Sequence, residues 1–549
     1  MTNDPAIEDP TPQAEEPVDA AESDSRVLTI DRQTIPLAER GDLVWSELVR
    51  KNDARRPDVL VRGNQLVRMT ERGALEEYTP DSLRSLISRR VEYEKQGRGG
   101  TVVIPEPPKE DPRELLSRDS AEYVDAPRVD RVVDVPVVGR TGKLITEPGY
   151  DAESRLFYRP AEGLENLRVP TADDVSTIAQ VLDARDFIGT ELLGDFGFDD
   201  AASRAHAFAL LLLPFVRELI SDGPTPLHGV FAPEPSSGKT LLAQACLAPG
   251  CGLVAPHSGS GKDDAEWRKV ITSALMSGAP AILFDNLHGT LSSPAFASAL
   301  TTGRWSDRAL GTNQQVDLPV RNVWVATANN PQITTEHVRR IAPIFLEPGP
   351  VRPGDRPRSS WRHDNLLHKW AIPNRARLVE AALILVRHWL EGPALADPYG
   401  SFEREEGSTP MESRASLGSF ERWAGVIGGI LEAADVKGFL DPANRERLKD
   451  DADDEHRDAA AFFEAWHALG REWMTSAELA ELCELSTAPL HATLPAEAWP
   501  SNPSKQTLTH SLGKWLGKNK GRRIGGYQLL GNESSRHVRS WLVKSAARP

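Results

Sequence analysis

The segment from Leu227 to Leu247 constrains this chain more than any other. Leu227–Phe231 is strand-like, Pro233-Glu234-Pro235-Ser236-Ser237-Gly238-Lys239-Thr240 follows at once, and Leu241–Leu247 reads as a helix. A strand that turns through Gly-Lys-Thr into a helix is built to grip phosphate. Backbone N–H groups and the helix N-terminus cradle the anion, Lys239 neutralises the β- and γ-phosphates, and the Thr240 hydroxyl ligates Mg²⁺. Pro233 stands where this motif usually opens with glycine and removes one donor at the loop entrance. Gly238, where backbone must come closest to phosphate, is kept. ATP and Mg²⁺ are the expected ligands.

Two later segments supply what such a loop needs. Ala281-Ile282-Leu283-Phe284-Asp285-Asn286 is a hydrophobic strand ending in a carboxylate, which suits Asp285 to the Mg²⁺ hydration shell. Asn286 follows, where many ATPases place a glutamate to polarise water. An amide orients water but is a poor base, so the water-activating group stays open, with Glu266 a substitute or simply a helix-face charge. Asn322-Val323-Trp324-Val325-Ala326-Thr327-Ala328-Asn329-Asn330-Pro331 is a second apolar strand with an amide at its end. Asn329, with Asn330 as alternate, is placed to sense the γ-phosphate. These strands, near-continuous in apolar residues and separated by helical segments such as Trp267–Met276, imply an α/β fold with a parallel sheet covered on both faces.

Glu336-His337-Val338-Arg339-Arg340-Ile341 puts paired arginines ahead of an apolar stretch. Arg340, with Arg339 second, is the candidate to reach a neighbouring subunit's ATP as an arginine finger. Between the two strands, apolar stretches flank Gly311-Thr312-Asn313, a hairpin signal. Arg308, Asn313 and Arg321 are its candidate DNA contacts.

The net charge of −16 hides an uneven distribution: residues 1–25 carry eight acidic side chains and no Lys or Arg, whereas residues 501–549 carry ten basic ones and one acid. That asymmetry accompanies nucleic-acid binding. Within the basic end, Thr475-Ser476-Ala477-Glu478 is a capping box opening a helix, and Leu508, Leu512, Trp515 and Leu516 form an amphipathic stripe. Lys514 and Lys518 lie off that stripe, followed by Lys520-Gly521-Arg522-Arg523 and two strand-like runs, Gly526–Leu530 and Arg539–Val543. Helix, helix, then hairpin is the order of a winged helix, with Lys514, Lys518, Lys520, Arg522 and Arg523 facing DNA. A protein-docking module of the same shape is the alternative.

The rest of the chain is plainer. Residues 1–26 are expected to be a disordered acidic tail. Residues 27–165 read as an α+β domain, with strands at Val27–Ile30, Leu60–Arg62 and Leu66–Arg68 and a helix from Leu83 to Tyr93. The ATPase core is expected over 166–372, a helical region over 373–472, with helices at 373–390 and 415–440 and a loop over 393–410, and the winged helix over 473–549. Phe208–Ile220, the most apolar run, is too short to span a bilayer and reads as a buried helix kinked at Pro214. Three cysteines, Cys246, Cys251 and Cys483, offer neither a disulfide framework nor a zinc set, which with the polar N-terminus points to the cytoplasm.

With these residues in hand, the chain resembles the primase-helicase type replication proteins of phages, plasmids and integrative elements. These are AAA+-like motors related to superfamily 3 helicases. The resemblance rests on Pro235–Thr240, Leu283–Asn286, Trp305–Gly311, Ala326–Asn330, Val338–Ile344 and, before the motor, Pro148–Asp151. It covers about 170 to 390, and more loosely the region to about 470. It implies ATP hydrolysis, a hexameric ring on single-stranded DNA, and primase or other replication proteins as partners. Asp-Asn in place of Asp-Glu is familiar in that family. No acidic primase motif is visible in 27–165, so primase activity is not implied. Two other readings stand beside it: an ATPase that remodels or regulates a protein complex, and a nucleotide-binding structural protein without translocation.

Overall fold

A computed structural model describes residues 28–545, except 72, 98–99, 105, 176, 221–222, 259–262, 289, 309–314, 330, 348–355, 393–415, 471–472, 486–487, 501–506, 522, 525 and 534–538. The acidic tail, Val27, and the loop expected over 393–410 therefore lie outside the described residues. The chain divides into two compact units, the first ending at Val129 and the second beginning at Asp130.

In the first unit, strand Leu28–Asp31 runs parallel to Val91–Gly97, which pairs antiparallel with Gly100–Ile104. A second small sheet is a meander of Leu60–Arg62, Gln65–Met69 and Leu75–Glu77. The expected helix from Leu83 to Tyr93 is shifted: it spans Pro80–Arg90, and Tyr93 lies in the strand that follows. Thr79 and Ser82 form a reciprocal cap at its start, and at Val91 the sequence turns to alternation that favours an extended backbone. Trp45, Leu83, Ile87 and Tyr93 are among the residues of its core, where Tyr93 donates to a buried Asp111 that also pairs with Arg40.

The second unit is built on a five-stranded parallel sheet. Its strands, labelled β1 to β5 in chain order, are Leu227–Ala232, Pro256–Ser258, Ala281–Leu287, Val323–Asn329 and Ile341–Phe345. Their order across the sheet is β2-β3-β4-β1-β5. Parallel pairing brings the C-terminal ends of all five to one edge, and the crossovers supply helices to cover the faces. Helix Lys239–Cys251 follows β1 and helix Asp264–Met276 follows β2. Aromatic side chains fill one face: Phe284 stacks on Trp324, with Trp267 and Phe296 against them. On the other face lies helix Ala201–Val216, capped by Asp200 and buried along nearly its whole length, with Pro214 inside its last turn.

Residues 130–165, expected with the N-terminal segment, belong instead to this second unit. Strand Arg131–Val133 pairs with Leu156–Tyr158, and Val133, Leu156 and Tyr158 share a core with Phe208 and Leu212. Helices Arg375–Glu391 and Glu421–Ala433 pack into the same core. Then comes one helix of 27 residues, Pro442–Ala468, through the charged stretch. At its start, Asn444 donates to Asp200 and Ser203, and Arg447 pairs with Asp199 and lies over the Phe345 ring. At its end, Ala459, Phe462, Phe463 and Trp466 enter the core of the C-terminal elements. Those are helices Ser476–Glu484 and Leu508–Asn519, with Met474–Thr475, Arg539–Ser545, Tyr527–Glu533 and Arg523–Ile524 side by side in one antiparallel sheet. Among the described residues no helix is long and apolar enough to cross a membrane.

Candidate active site

At the C-terminal edge of the sheet, β1 ends and the loop from Pro233 to Gly238 begins. Ser236 and Gly238 both have left-handed backbone, φ 59° and 87°. At Gly238 that conformation ends the loop and starts helix Lys239–Cys251, which is why glycine is kept here although the opening glycine is Pro233. Phe196 lies beside Gly238, its ring 3.6 Å from where a Cβ would stand.

Parallel register then decides which side chains meet. Ala232 is opposite Asn329 on β4, and Asp285 on β3 is opposite Ser258. Lys239 is buried, and its Nζ donates to Glu234 O at 3.0 Å, Ser237 Oγ at 2.9 Å and Asn329 Oδ1 at 2.6 Å. Burial pulls its pKa below the usual lysine value, opposed by the Asp285 charge. A partly desolvated ammonium held by neutral acceptors is a site that an anion would satisfy better.

The Thr240 hydroxyl donates to Asp285 Oδ1 at 2.6 Å. A second hydroxyl, Thr327 on β4, donates to the same oxygen at 2.7 Å and accepts from the Asn286 N–H at 2.8 Å. Asn286 itself has φ 55°, and its Nδ2 stands 3.1 Å from His288 Nε2. Hydroxyl and carboxylate thus converge as a hydrated Mg²⁺ would require. Among the described residues there is no cluster of three or more His, Cys, Asp or Glu able to cage a metal. Mg²⁺ bound through one or two protein oxygens, water and substrate phosphate needs none.

Lys239, Thr240, Asp285, Asn286 and Asn329 therefore come together as spacing suggested; Asn330 lies outside the described residues. Thr327 and His288 were not foreseen. A hydroxyl inside the apolar run Val323–Ala328 was the available signal for Thr327, since a buried hydroxyl needs a partner. Nothing in the spacing marked His288. Glu266 is paired with Lys269 across one turn of its helix, at 2.6 Å.

The paired arginines stand elsewhere. Arg340 O accepts from the N–H of Leu227, the first residue of β1, so both arginines lie at the opposite edge of the sheet. A six-residue strand separates them from the loop, about 17 Å. Arg340 is buried, its guanidinium bonded to the Glu336 carbonyl and 3.4 Å from the Glu336 carboxylate, with burial lowering its pKa. Arg339 is exposed. Of the two, the expected first choice, Arg340, is thus the buried one, and its alternate, Arg339, is the one that reaches solvent.

The hairpin exists: Arg304–Arg308 pairs with Gln315–Pro319, with Trp305 buried and donating to Thr272. Arg308 is exposed near its tip, and Asn313 lies outside the described residues. Arg321 is a correction. It is only 3% exposed and faces the partly buried Asp130, so it cannot serve as a DNA contact. At the C-terminal end, Leu508, Leu512, Trp515 and Leu516 are buried as the stripe implied, while Lys514, Lys518 and Lys520 are exposed. Arg523 opens a two-residue strand, and Arg522 lies outside the described residues.

No family model matches the chain, and no curated protein matches it. Solved structures that do match include a JCV helicase with a small molecule bound, 14% identical, with a TM-score of 0.21 over 53% of this chain and 76% of that one. Another is SCCmec type IV Cch, described as an active helicase, 12% identical, with a TM-score of 0.30 over 90% of this chain and 94% of that one. At such low identity and loose superposition, neither bears on what this chain does.

Proposed function

We propose that this chain is an ATP-dependent DNA translocase or helicase acting in replication of a phage, plasmid or integrative element. The observation that carries ATP hydrolysis is the convergence of Lys239, Asn329, Thr240 and Asp285 at one edge of a parallel sheet. In this reading Lys239 neutralises the β- and γ-phosphates, Thr240 and Asp285 hold Mg²⁺, and Asn329 senses the γ-phosphate. Mg²⁺ there would shield the phosphate charge during transfer. The arginines' distance from their own loop supports a ring, hexameric by the resemblance, in which Arg339 completes the neighbour's site.

The DNA part rests on the exposed Arg308 and on the C-terminal lysines. Strand Met474–Thr475 pairing with Arg539–Ser545 behind helix Leu508–Asn519 is the pattern of a winged helix, with Lys514, Lys518 and Lys520 turned outward. The test is ATP turnover with and without single-stranded DNA, run beside strand displacement and the mass of the assembly. Turnover stimulated by DNA and abolished by Lys239→Ala is expected. ATP turnover indifferent to DNA would instead favour a remodeller of protein complexes.

A further inference from the structure

Strand β3 delivers Asp285 to the site but no carboxylate beside it. The backbone gives a reason. Asn286 has φ 55°, a left-handed conformation that asparagine adopts far more readily than glutamate. Its N–H is tied to the Thr327 hydroxyl that also holds Asp285. The pairing register of β3 against β4 shifts between Phe284 and Leu287, so Asp285 and Asn286 bulge from the ladder. Such bulges re-aim side chains. Here the bulge brings the Asn286 amide to 3.1 Å from His288 Nε2, on an exposed imidazole.

Hydrolysis needs a group to take a proton from the attacking water. Among the described residues, hydrogen bonds run from Asp285 to the Thr240 and Thr327 hydroxyls, from Thr327 to the Asn286 backbone N–H, and from the Asn286 amide to His288. Two of these side chains are hydroxyls and one is an amide. The imidazole is the one basic group among them.

We propose that His288 is the general base of ATP hydrolysis and that Asn286 positions its ring, an assignment that rests on the ATPase reading above. The amide N–H facing Nε2 marks that nitrogen as the lone-pair side, leaving the ring hydrogen on Nδ1. An attacking water that stands between Nε2 and the γ-phosphate displaces the Asn286 N–H from that lone pair; its oxygen forms a bond to the γ-phosphorus and one of its protons passes to Nε2. The bond from the γ-phosphorus to the β–γ bridging oxygen breaks, and that oxygen leaves with the electron pair on ADP. The imidazolium then returns its proton to solvent, and nothing is oxidised or reduced.

The experiment pairs His288→Ala with His288→Gln, which keeps a polar contact to Asn286 without a base. Single-turnover hydrolysis should fall about 10²- to 10⁴-fold in both. Fluorescent-nucleotide affinity should stay within about twofold of wild type, because a base is needed for the chemical step and not for ground-state binding. Added imidazole should raise turnover of His288→Ala in proportion to its concentration, and should do nothing for Lys239→Ala. Unchanged turnover in either variant overturns the assignment, as does a loss that imidazole leaves in place. A wild-type protein that binds and hydrolyses no ATP would overturn the ATPase reading instead.

Discussion

At Asp285 two hydroxyls compete for one carboxylate oxygen, and the competition is informative. Thr240 must release that oxygen if both are to hold Mg²⁺, whereas Thr327 can keep it. Thr327 is therefore a positioning residue: it fixes the carboxylate from β4 and fixes Asn286 through its N–H. Thr327→Val removes the hydroxyl and leaves both partners short of a bond. Unfolding free energy should drop by about 1–3 kcal/mol, and Thr327→Ser should recover most of it in urea titrations. A pH effect belongs to the same scale. His206 and His228 are fully buried, and burial lowers their pKa values from 6.5 to about 4 and about 3. The unfolded chain then binds more protons than the folded one below pH 6.5, so stability present above that pH is lost as pH falls toward 4. For His206 alone the loss is on the order of 3 kcal/mol. A urea midpoint that does not move between pH 7 and pH 5 would contradict this.

Among elements, the turn before the long helix leaves no room for a side chain. Gly438 has φ 94°, and a Cβ there would lie 2.7 Å from the backbone carbon of Ala201. Gly438→Ala should cost about 2–4 kcal/mol, from left-handed strain and overpacking together, and thermal unfolding would measure it. Elements with a strong local signature were legible in the sequence: β1 with its loop, the Thr475 capping box, and the stripe on helix Leu508–Asn519. Asp285 and Asn329 were legible too, because each ends an apolar strand. What escaped depended on distant partners. Strand Pro256–Ser258 is three residues long, and Ile341–Phe345 is a strand because β1 lies beside it. Arg321 looked like a surface cation because charge says nothing of burial; Asp130, far off in sequence, is what it faces. His288 entered the site through a bulge, which no periodicity announces.

For the whole molecule, the separation of the arginines from their own phosphate loop makes a sharp prediction. Lys239→Ala and Arg339→Ala should each abolish ATP turnover alone. Mixed, they should regain a measurable share, because an Arg339→Ala subunit keeps its loop and borrows the arginine of a Lys239→Ala neighbour. A mixture as inactive as its parts would place the arginine's role within one chain, or nowhere in catalysis. Charge at the far end is tested separately: Lys514→Glu with Lys518→Glu should weaken DNA binding across all sequences. It should also flatten the dependence on salt, by about one unit of slope for each phosphate no longer neutralised. Between these two ends runs helix Pro442–Ala468, fastened to Asp199 and Asp200 at its start and to Trp466's surroundings at its close. A continuous helix of 27 residues measures about 40 Å and advances about 100° per residue, so it sets a phase as well as a distance. Removing seven residues from its middle turns the C-terminal lysines by only about 20°, whereas removing five swings them by about 140°. The shorter deletion is therefore the more disruptive one, because the helix keeps the two ends in angular step.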